Sequence, residues 1–384
     1  MTRTDPDIER ELVKVAHAFA ADEIRPVAAQ HDETEAFPTD IVRKAARVGL
    51  TSFDLPAAYG GGGIDSVRTG CLIGEELAWG DSPIGSIVGS ASFFAGPLAE
   101  LGTEEQRQRW IPPLCSEDPP MTALAITEPG AGSDAAAITT TATRAEGGYL
   151  LNGAKTWASG APDAAFYLVY ATVAPGTRAK GITSFVVEKG DAGFTLGKKL
   201  PKMGSRCYPT GELFFTDCFV AEDRRIGEEG QGFYGVMRSF ERSRVTLAAN
   251  SIGIGRAALE YAVDYAKQRE AFGKKIHEFQ AVSFRLVDAK MALDQARLLM
   301  LHAADLADAG EPFATEASMA KLAASEAAWQ AADAAVMTLG SYGYSREYPV
   351  EKWLRDAKLE QIYEGTNDIQ RLIIARSMFP RGSA

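Results

Sequence analysis

The chain has 384 residues, 46 % hydrophobic and 24 % charged, enough to bury a large core without disulfides or a structural metal. Its 40 basic residues are outnumbered by 51 acidic ones, a net charge of −11. That disfavours a sequence-independent grip on nucleic acid or an anionic membrane, both of which need clustered Lys and Arg. Cys71, Cys115, Cys207 and Cys218 are widely spaced with no CxxC pair and read as reduced thiols. His17, His31, His277 and His302 show no ligand spacing, so no metal is expected. No run of 18 apolar residues exists, so no membrane span is expected. The polar, partly acidic N-terminus resembles neither a signal nor a transit peptide, which points to the cytoplasm; a mature mitochondrial matrix chain cut from a longer precursor is also compatible.

Residues 1–120 read as helical. Asp5-Pro6 is a cap followed by an N1 proline, and Ile8, Leu12, Val15 and Phe19 follow at helical spacing. A second helix runs from about Thr39 to Val48. Gly60 to Gly63 lacks the lysine of a P-loop and reads as a turn. Residues 121–230 change character, with 13 threonines against 4 in the longer stretch that follows. Phe166–Tyr170, Thr183–Val187 and Glu212–Phe215 read as short strands separated by Gly and Pro turns, hence a compact β domain. Residues 231–384 return to helix. The segments 233–268, 279–308 and 313–339 are alanine-rich, almost free of proline, and suit an antiparallel bundle. A last helix starts near Thr366 or Asn367 and turns Ile369, Leu372 and Ile373 inward. Helices, then β, then helices argues against a Rossmann or barrel enzyme, where strands and helices alternate.

Four segments carry candidate chemistry. Ser251-Ile-Gly-Ile-Gly-Arg256 contains GxG, but inside a helix, where close packing explains it better than dinucleotide binding. Thr127-Glu-Pro-Gly-Ala-Gly-Ser-Asp134 is either a surface turn or a loop whose amides and hydroxyls meet a ligand. Asn152-Gly-Ala-Lys-Thr-Trp-Ala-Ser159 opens as an Asn-Gly turn and ends in a strand; Trp157 is either core or a flat wall against a planar cofactor. Glu364, in Tyr363-Glu-Gly-Thr366, precedes a helix start and is either a capping glutamate or a base.

Taken with Leu101-Gly-Thr-Glu-Glu-Gln106, Lys202-Met-Gly-Ser-Arg206, Gly227-Glu-Glu-Gly-Gln-Gly-Phe233, Arg269-Glu-Ala-Phe-Gly273 leading to Gln280, and Arg355-Asp-Ala-Lys358, these segments stand in a fixed order along the chain. In that order the chain resembles the acyl-CoA dehydrogenases from end to end. The resemblance implies an α+β fold: an N-terminal helical domain (1–120), a central β-barrel-like domain (121–230) and a C-terminal four-helix bundle (231–384).

It further implies FAD between the β domain and the bundle. By similarity, Ala125, Ile126 and Thr127 face the flavin ring, and Trp157, Ala158 and Ser159 match the family's Trp-Ile-Thr beside it. Arg269, Phe272 and Gln280 resemble residues that reach the FAD of a neighbouring subunit. The family's Gln-x-x-Gly-Gly-x-Gly stands here as Met337 to Gly343, with Gly340 kept, Met337 unable to make glutamine's hydrogen bonds and Ser341 in place of glycine. Thr366, Asn367 and Asp368 fall at cofactor-contacting positions. Ser133, Glu241, Arg244, Tyr363 and Gly365 fall at substrate-contacting ones, though Arg244 also reads as a bundle salt bridge. Glu364 takes the catalytic position; the alternative position used by some members is Ser243 here, too weak a base.

The reaction so implied is FAD-dependent α,β-dehydrogenation of an acyl thioester. A carboxylate in a dry site is strengthened as a base, and flavin supplies a hydride acceptor that side chains cannot. The expected partners are an acyl-CoA, electron-transfer flavoprotein as acceptor, and further copies of the chain in a homotetramer built as a dimer of dimers. The competing readings are a dehydrogenase of carrier-protein thioesters, a flavin monooxygenase, disfavoured by Glu364, and an inactive scaffold.

Overall fold

The computed structural model describes residues 3–379. Helix α1 (Pro6–Phe19) opens with the Asp5 side chain accepting from Asp7 N at 2.8 Å, followed by the N1 proline, and continues through a wider turn to Ile24. Helices α2 (Ala28–Thr34) and α3 (Thr39–Arg47) pack on α4 (Val67–Val88). A break in α4 at Asp81 (φ −164°, ψ 121°) precedes Pro83, whose ring and missing N–H interrupt the ladder. Helices α5 (Ala91–Leu101) and α6 (Glu104–Leu114) follow, the latter started by a Thr103–Gln106 capping box.

Eight strands form one mixed sheet: β1 (Thr122–Ala125), β2 (Thr141–Ala145), β3 (Gly148–Ser159), β4 (Phe166–Thr172), β5 (Ile182–Glu188), β6 (Phe194–Lys199), β7 (Thr210–Ala221) and β8 (Arg225–Ile226). The path runs β6-β7-β3-β2-β4-β5-β8, with β1 parallel to β4 in the register Thr122↔Phe166. Both faces are covered. Tyr167 and Val169 enter a core with Tyr149 and Phe215, whereas Leu168 and Tyr170 enter another with Phe94, Trp110 and Val236. That double burial explains why β4 is apolar without alternation.

The sequence reading of Asn152-Gly153 as a turn is overturned. The hairpin turn lies at Glu146-Gly147, and Asn152-Gly153 sits inside β3 at a register shift against β7. Gly153 (φ +145°) runs so close to Thr140 that a Cβ would meet its Cα at 2.8 Å, and Asn152 exchanges hydrogen bonds with Asp217 across the irregularity.

The bundle comprises α7 (Gly232–Gln268), α8 (Gln280–Ala309), α9 (Ala314–Leu339), α10 (Val350–Glu360) and α11 (Asn367–Met378); a small hairpin, β9 (Glu270–Ala271) with β10 (Lys274–Lys275), joins α7 to α8. At 1.5 Å per residue, α7 is about 55 Å long. Alanines such as Ala320, Ala324, Ala328 and Ala331 line the buried side of α9 and let the helices approach closely. The GxG of α7 is a packing device, as read: a Cβ on Gly253 would meet Glu75 O at 2.5 Å, and one on Gly255 the Leu293 side chain at 2.5 Å. The last helix differs from expectation. Leu372 is exposed, and Asn367 and Gln370 take the inward positions because the Asn367 amide bonds α9 and the Gln370 amide bonds the turn before the helix.

Candidate active site

The turn between α10 and α11 holds Glu364. Thr366 caps α11 by accepting from Ile369 N at 3.4 Å. Glu364 (φ +55°) and Gly365 (φ +91°) are consecutive left-handed residues, an arrangement disfavoured for a glutamate unless its surroundings impose it. They do so: Gly365 O accepts from Gln370 Nε2 at 2.8 Å and from Lys321 Nζ at 3.2 Å.

Glu364 Oε2 accepts from Ser243 Oγ on α7 at 3.1 Å. The side chain keeps some accessible surface although protein surrounds it. Burial pushes its carboxyl up to about 7; the Ser243 bond and the charges of Arg244 and Lys321 pull the other way. Arg244 is 7 % exposed, and its Nε has no hydrogen-bond partner. Burial lowers its pKa against the attraction of Glu364 and Glu241. A buried guanidinium with an unused donor suits an incoming carbonyl or anion. Glu241 is half-buried with its pKa raised, first by that burial.

On the sheet side, the two motif segments are locked together. Thr156 N donates to Thr127 O at 2.9 Å. Lys155, fully buried, donates to Ile126 O at 3.1 Å and Glu128 Oε1 at 2.8 Å. Glu128 also accepts from Thr139 N and Thr140 N, and its pKa falls to about 2; burial pulls Lys155 down to about 8 although Glu128 opposes it. This staple fixes the ledge Ala125–Ile126–Thr127. A second irregularity, between Lys155 and Ala158, turns Trp157 outward at φ +58°, 58 % exposed, with Ser159 also exposed. Ala158 points the other way, into the sheet core, so its lost bulk is felt there. Ser133 is exposed on the loop after β1.

Other predicted residues are placed elsewhere. Arg269, Phe272, Gln280, Met337, Gly340 and Ser341 are all exposed around the far end of α7, the Arg269 guanidinium 6.0 Å from the Tyr342 ring. From Ser243 to Arg269 the helix rises about 39 Å, so one chain does not bring this group to its own Glu364. Asn367 is buried, its Oδ1 accepting from Lys321 and Ser325 at 3.0 Å each and its Nδ2 donating to Glu326. Asp368 is exposed and pairs with Arg371.

Several residues here were not singled out by the sequence reading. Lys321 was legible in principle, as a charge on the buried alanine face of α9. Glu360 was not, since nothing local marks it. The motifs Lys202–Arg206 and Arg355–Lys358 turn out to be one contact: Ser205 N donates to Asp356 Oδ1 at 2.6 Å, Arg355 reaches Met203 O, and a Cβ on Gly204 would meet Arg355 O at 2.5 Å. Asp356 also joins the buried Lys352–Asp81 pair, which ties the break in α4 to α10.

The chain matches the N-terminal, middle and C-terminal domains of acyl-CoA dehydrogenase over residues 6–118, 123–218 and 230–379. It belongs to the acyl-CoA dehydrogenase family. It is 44 % identical over 364 residues to an acyl-CoA dehydrogenase of Bacillus subtilis (strain 168), covering 94 % of this chain and 96 % of that one. The solved butyryl-CoA dehydrogenase from Megasphaera elsdenii superposes with a TM-score of 0.93 at 38 % identity, over 98 % of this chain and 100 % of that one. A structure of PigA with FAD and proline gives a TM-score of 0.94 at 31 % identity, over the whole of both chains.

Proposed function

We propose that this dehydrogenase oxidises an acyl-CoA to the 2,3-enoyl-CoA, with FAD as cofactor and Glu364 as the base that removes the Cα proton. The observation that carries this reading is the placement of Glu364: a carboxyl surrounded by protein yet partly accessible, its pKa pushed up to about 7, bonded by Ser243 and flanked by the unpaired Nε of buried Arg244. A base poised near neutrality is in its effective range for taking a proton at physiological pH.

The sheet side fits a flavin. Trp157 is too exposed for a core residue, and the Ser159 and Thr127 side chains and the backbone of Ala125–Thr127 offer a flat, polar edge for the ring. Bound there, the flavin supplies the acceptor for the hydride that leaves Cβ. This chain's residues do the rest. Glu364 takes the Cα proton, its backbone N–H donates to the thioester oxygen where charge develops, Arg244 and Ser133 hold the thioester and its carrier, and Tyr363 lies against the acyl group.

The exposed group at the far end of α7 supports assembly. Phe272 is 95 % exposed, and on α8 Phe284, Met291 and Leu298 are 58 %, 54 % and 69 % exposed at seven-residue spacing. A second copy covering this face, in a homotetramer, places Arg269, Phe272 and Gln280 against a neighbour's FAD. Electron-transfer flavoprotein is the proposed oxidant of the reduced enzyme. The test is anaerobic mixing of the purified yellow protein with a panel of CoA thioesters, short to long and branched, and with carrier-protein thioesters. Flavin bleaching by CoA thioesters is expected; bleaching by carrier-protein thioesters alone would move the substrate to that class, and no bleaching would defeat the reading.

A further inference from the structure

Glu360 is the last residue of α10, four residues before the proposed base, and 2 % exposed. Three segments bring hydroxyls to it. Tyr363 Oη donates to its Oε2 at 2.9 Å and Ser251 Oγ, from α7, at 3.0 Å; Ser82 Oγ, from the break in α4, stands 3.5 Å from its Oε1. Among the described residues no cation bonds it directly; the nearby Lys321 Nζ bonds Gly365 O and Asn367 Oδ1. A carboxyl here is costly: burial pushes its pKa up to about 7, with Lys321 opposing and Asp356 reinforcing the shift. If the position served packing alone, an apolar residue of the same volume would serve better.

What Glu360 holds is the residue beside the base. The left-handed pair Glu364–Gly365 needs restraint on both sides. After it, Gln370 and Lys321 grip the Gly365 carbonyl. Before it, Tyr363 N donates to Leu359 O at 3.1 Å, and the Tyr363 phenol is tied to Glu360. Ser243 and Ser251 lie two turns apart on α7, so one face of that helix holds both carboxyl groups, Glu364 through the first serine and Glu360 through the second.

We propose that Glu360 is a positioning residue for this reaction: by anchoring the Tyr363 hydroxyl it fixes the turn that aims Glu364 at the thioester Cα. The proposal rests on Glu364 being the base. It makes Glu360 an acceptor for two hydroxyl donors, a role a glutamine oxygen also fills and a leucine does not.

The direct readout is exchange of the thioester α-hydrogen for deuterium in D2O, measured by mass spectrometry. Glu364 takes the proton, exchanges it with solvent and returns a deuteron; with catalytic enzyme and no electron acceptor, at most one thioester per flavin is oxidised and the excess reports exchange. Glu360→Leu and Tyr363→Phe are each expected to slow exchange about 10- to 100-fold, the scale of a misaimed catalytic group. For Glu360→Leu, thioester affinity and flavin content are expected to stay within about threefold, because Glu360 is bonded to hydroxyls of the protein and contacts neither ligand in the proposed mode. The double variant is expected to be no slower than the worse single one, since both break the same link. Glu360→Gln is expected to exchange within about threefold of wild type. Exchange at the wild-type rate by Tyr363→Phe, which removes one oxygen and tests the link even if Glu360→Leu fails to fold, would overturn the proposal. So would losses that multiply in the double variant, or a Glu360→Gln as slow as Glu360→Leu. A wild-type protein that neither exchanges nor bleaches with any thioester would instead overturn the assignment of Glu364.

Discussion

Ser243→Ala isolates one of the forces on Glu364, the proposed base. Burial raises the Glu364 carboxyl to about 7, and the Ser243 hydrogen bond is the first influence that opposes it, ahead of Arg244 and Lys321. A hydrogen bond to a charged acceptor contributes about 1.5–3 kcal/mol, part of which a water can restore, so its removal should raise the pKa by about one unit at about 1.4 kcal/mol per unit. The base works only as the anion. At pH 7 about half of the wild type is ionised, against about one tenth of the variant, a loss of about fivefold. The two converge near pH 9, where both are ionised. The assay is kcat/KM, or the second-order rate of anaerobic flavin bleaching, from pH 5.5 to 9.5, because that quantity reports groups of the free enzyme. Glu364→Gln is expected to be flat and about 10²–10⁴-fold slower throughout. A Ser243→Ala midpoint equal to or below that of wild type would refute the reasoning, as would a Glu364→Gln profile that kept the wild-type slope.

Other perturbations separate the remaining roles. Lys155→Met leaves Glu128 buried without its partner and is expected to cost about 3–5 kcal/mol, read as a lower melting temperature and a lower flavin content; adding Glu128→Gln should recover part of the loss. Arg244→Ala is expected to raise KM strongly with an unchanged flavin spectrum, whereas flavin loss at constant KM would mark a bundle salt bridge. Arg269→Ala is expected to lower flavin retention and oligomer stability together, followed by sizing chromatography with flavin quantitation; full FAD occupancy in a monomer would contradict it.

The long helices were legible because periodicity and the absence of Pro and Gly are local signals. The order helix, sheet, helix was legible because composition changes along with it. Departures arose where a distant partner outweighed a local preference. Asn152-Gly153 has the chemistry of a hairpin turn, yet Asp217 on β7 holds it inside a strand. Leu372 fits an inward apolar position, but α11 starts at a polar knot in which Asn367 and Gln370 satisfy Lys321 and the Gly365 carbonyl, and that knot sets the helix rotation. The motif 202–206 was recognisable by resemblance, while its cause, a backbone pressed against Arg355 where no Cβ fits, exists only in three dimensions.

Several of the buried polar groups converge on one place. Lys321, Glu360, Glu364, Asn367 and Gln370 all act on one six-residue turn between α10 and α11, and α7 contributes a serine to each of its carboxyls. Each buried polar atom carries a desolvation cost. The concentration therefore argues that the turn is constrained in its geometry more than in its stability: a left-handed glutamate survives because bonds on either side leave it no alternative. The same helix that supplies Ser243 and Ser251 ends at Arg269, about 39 Å beyond Ser243, on an exposed surface rich in aromatic residues. A displacement of α7 caused by loss of a neighbouring copy would thus reach both serines. If the chain assembles as proposed, assembly and the aim of Glu364 share a rigid element, and subunit dissociation is expected to lower the rate of α-hydrogen exchange as well as flavin retention.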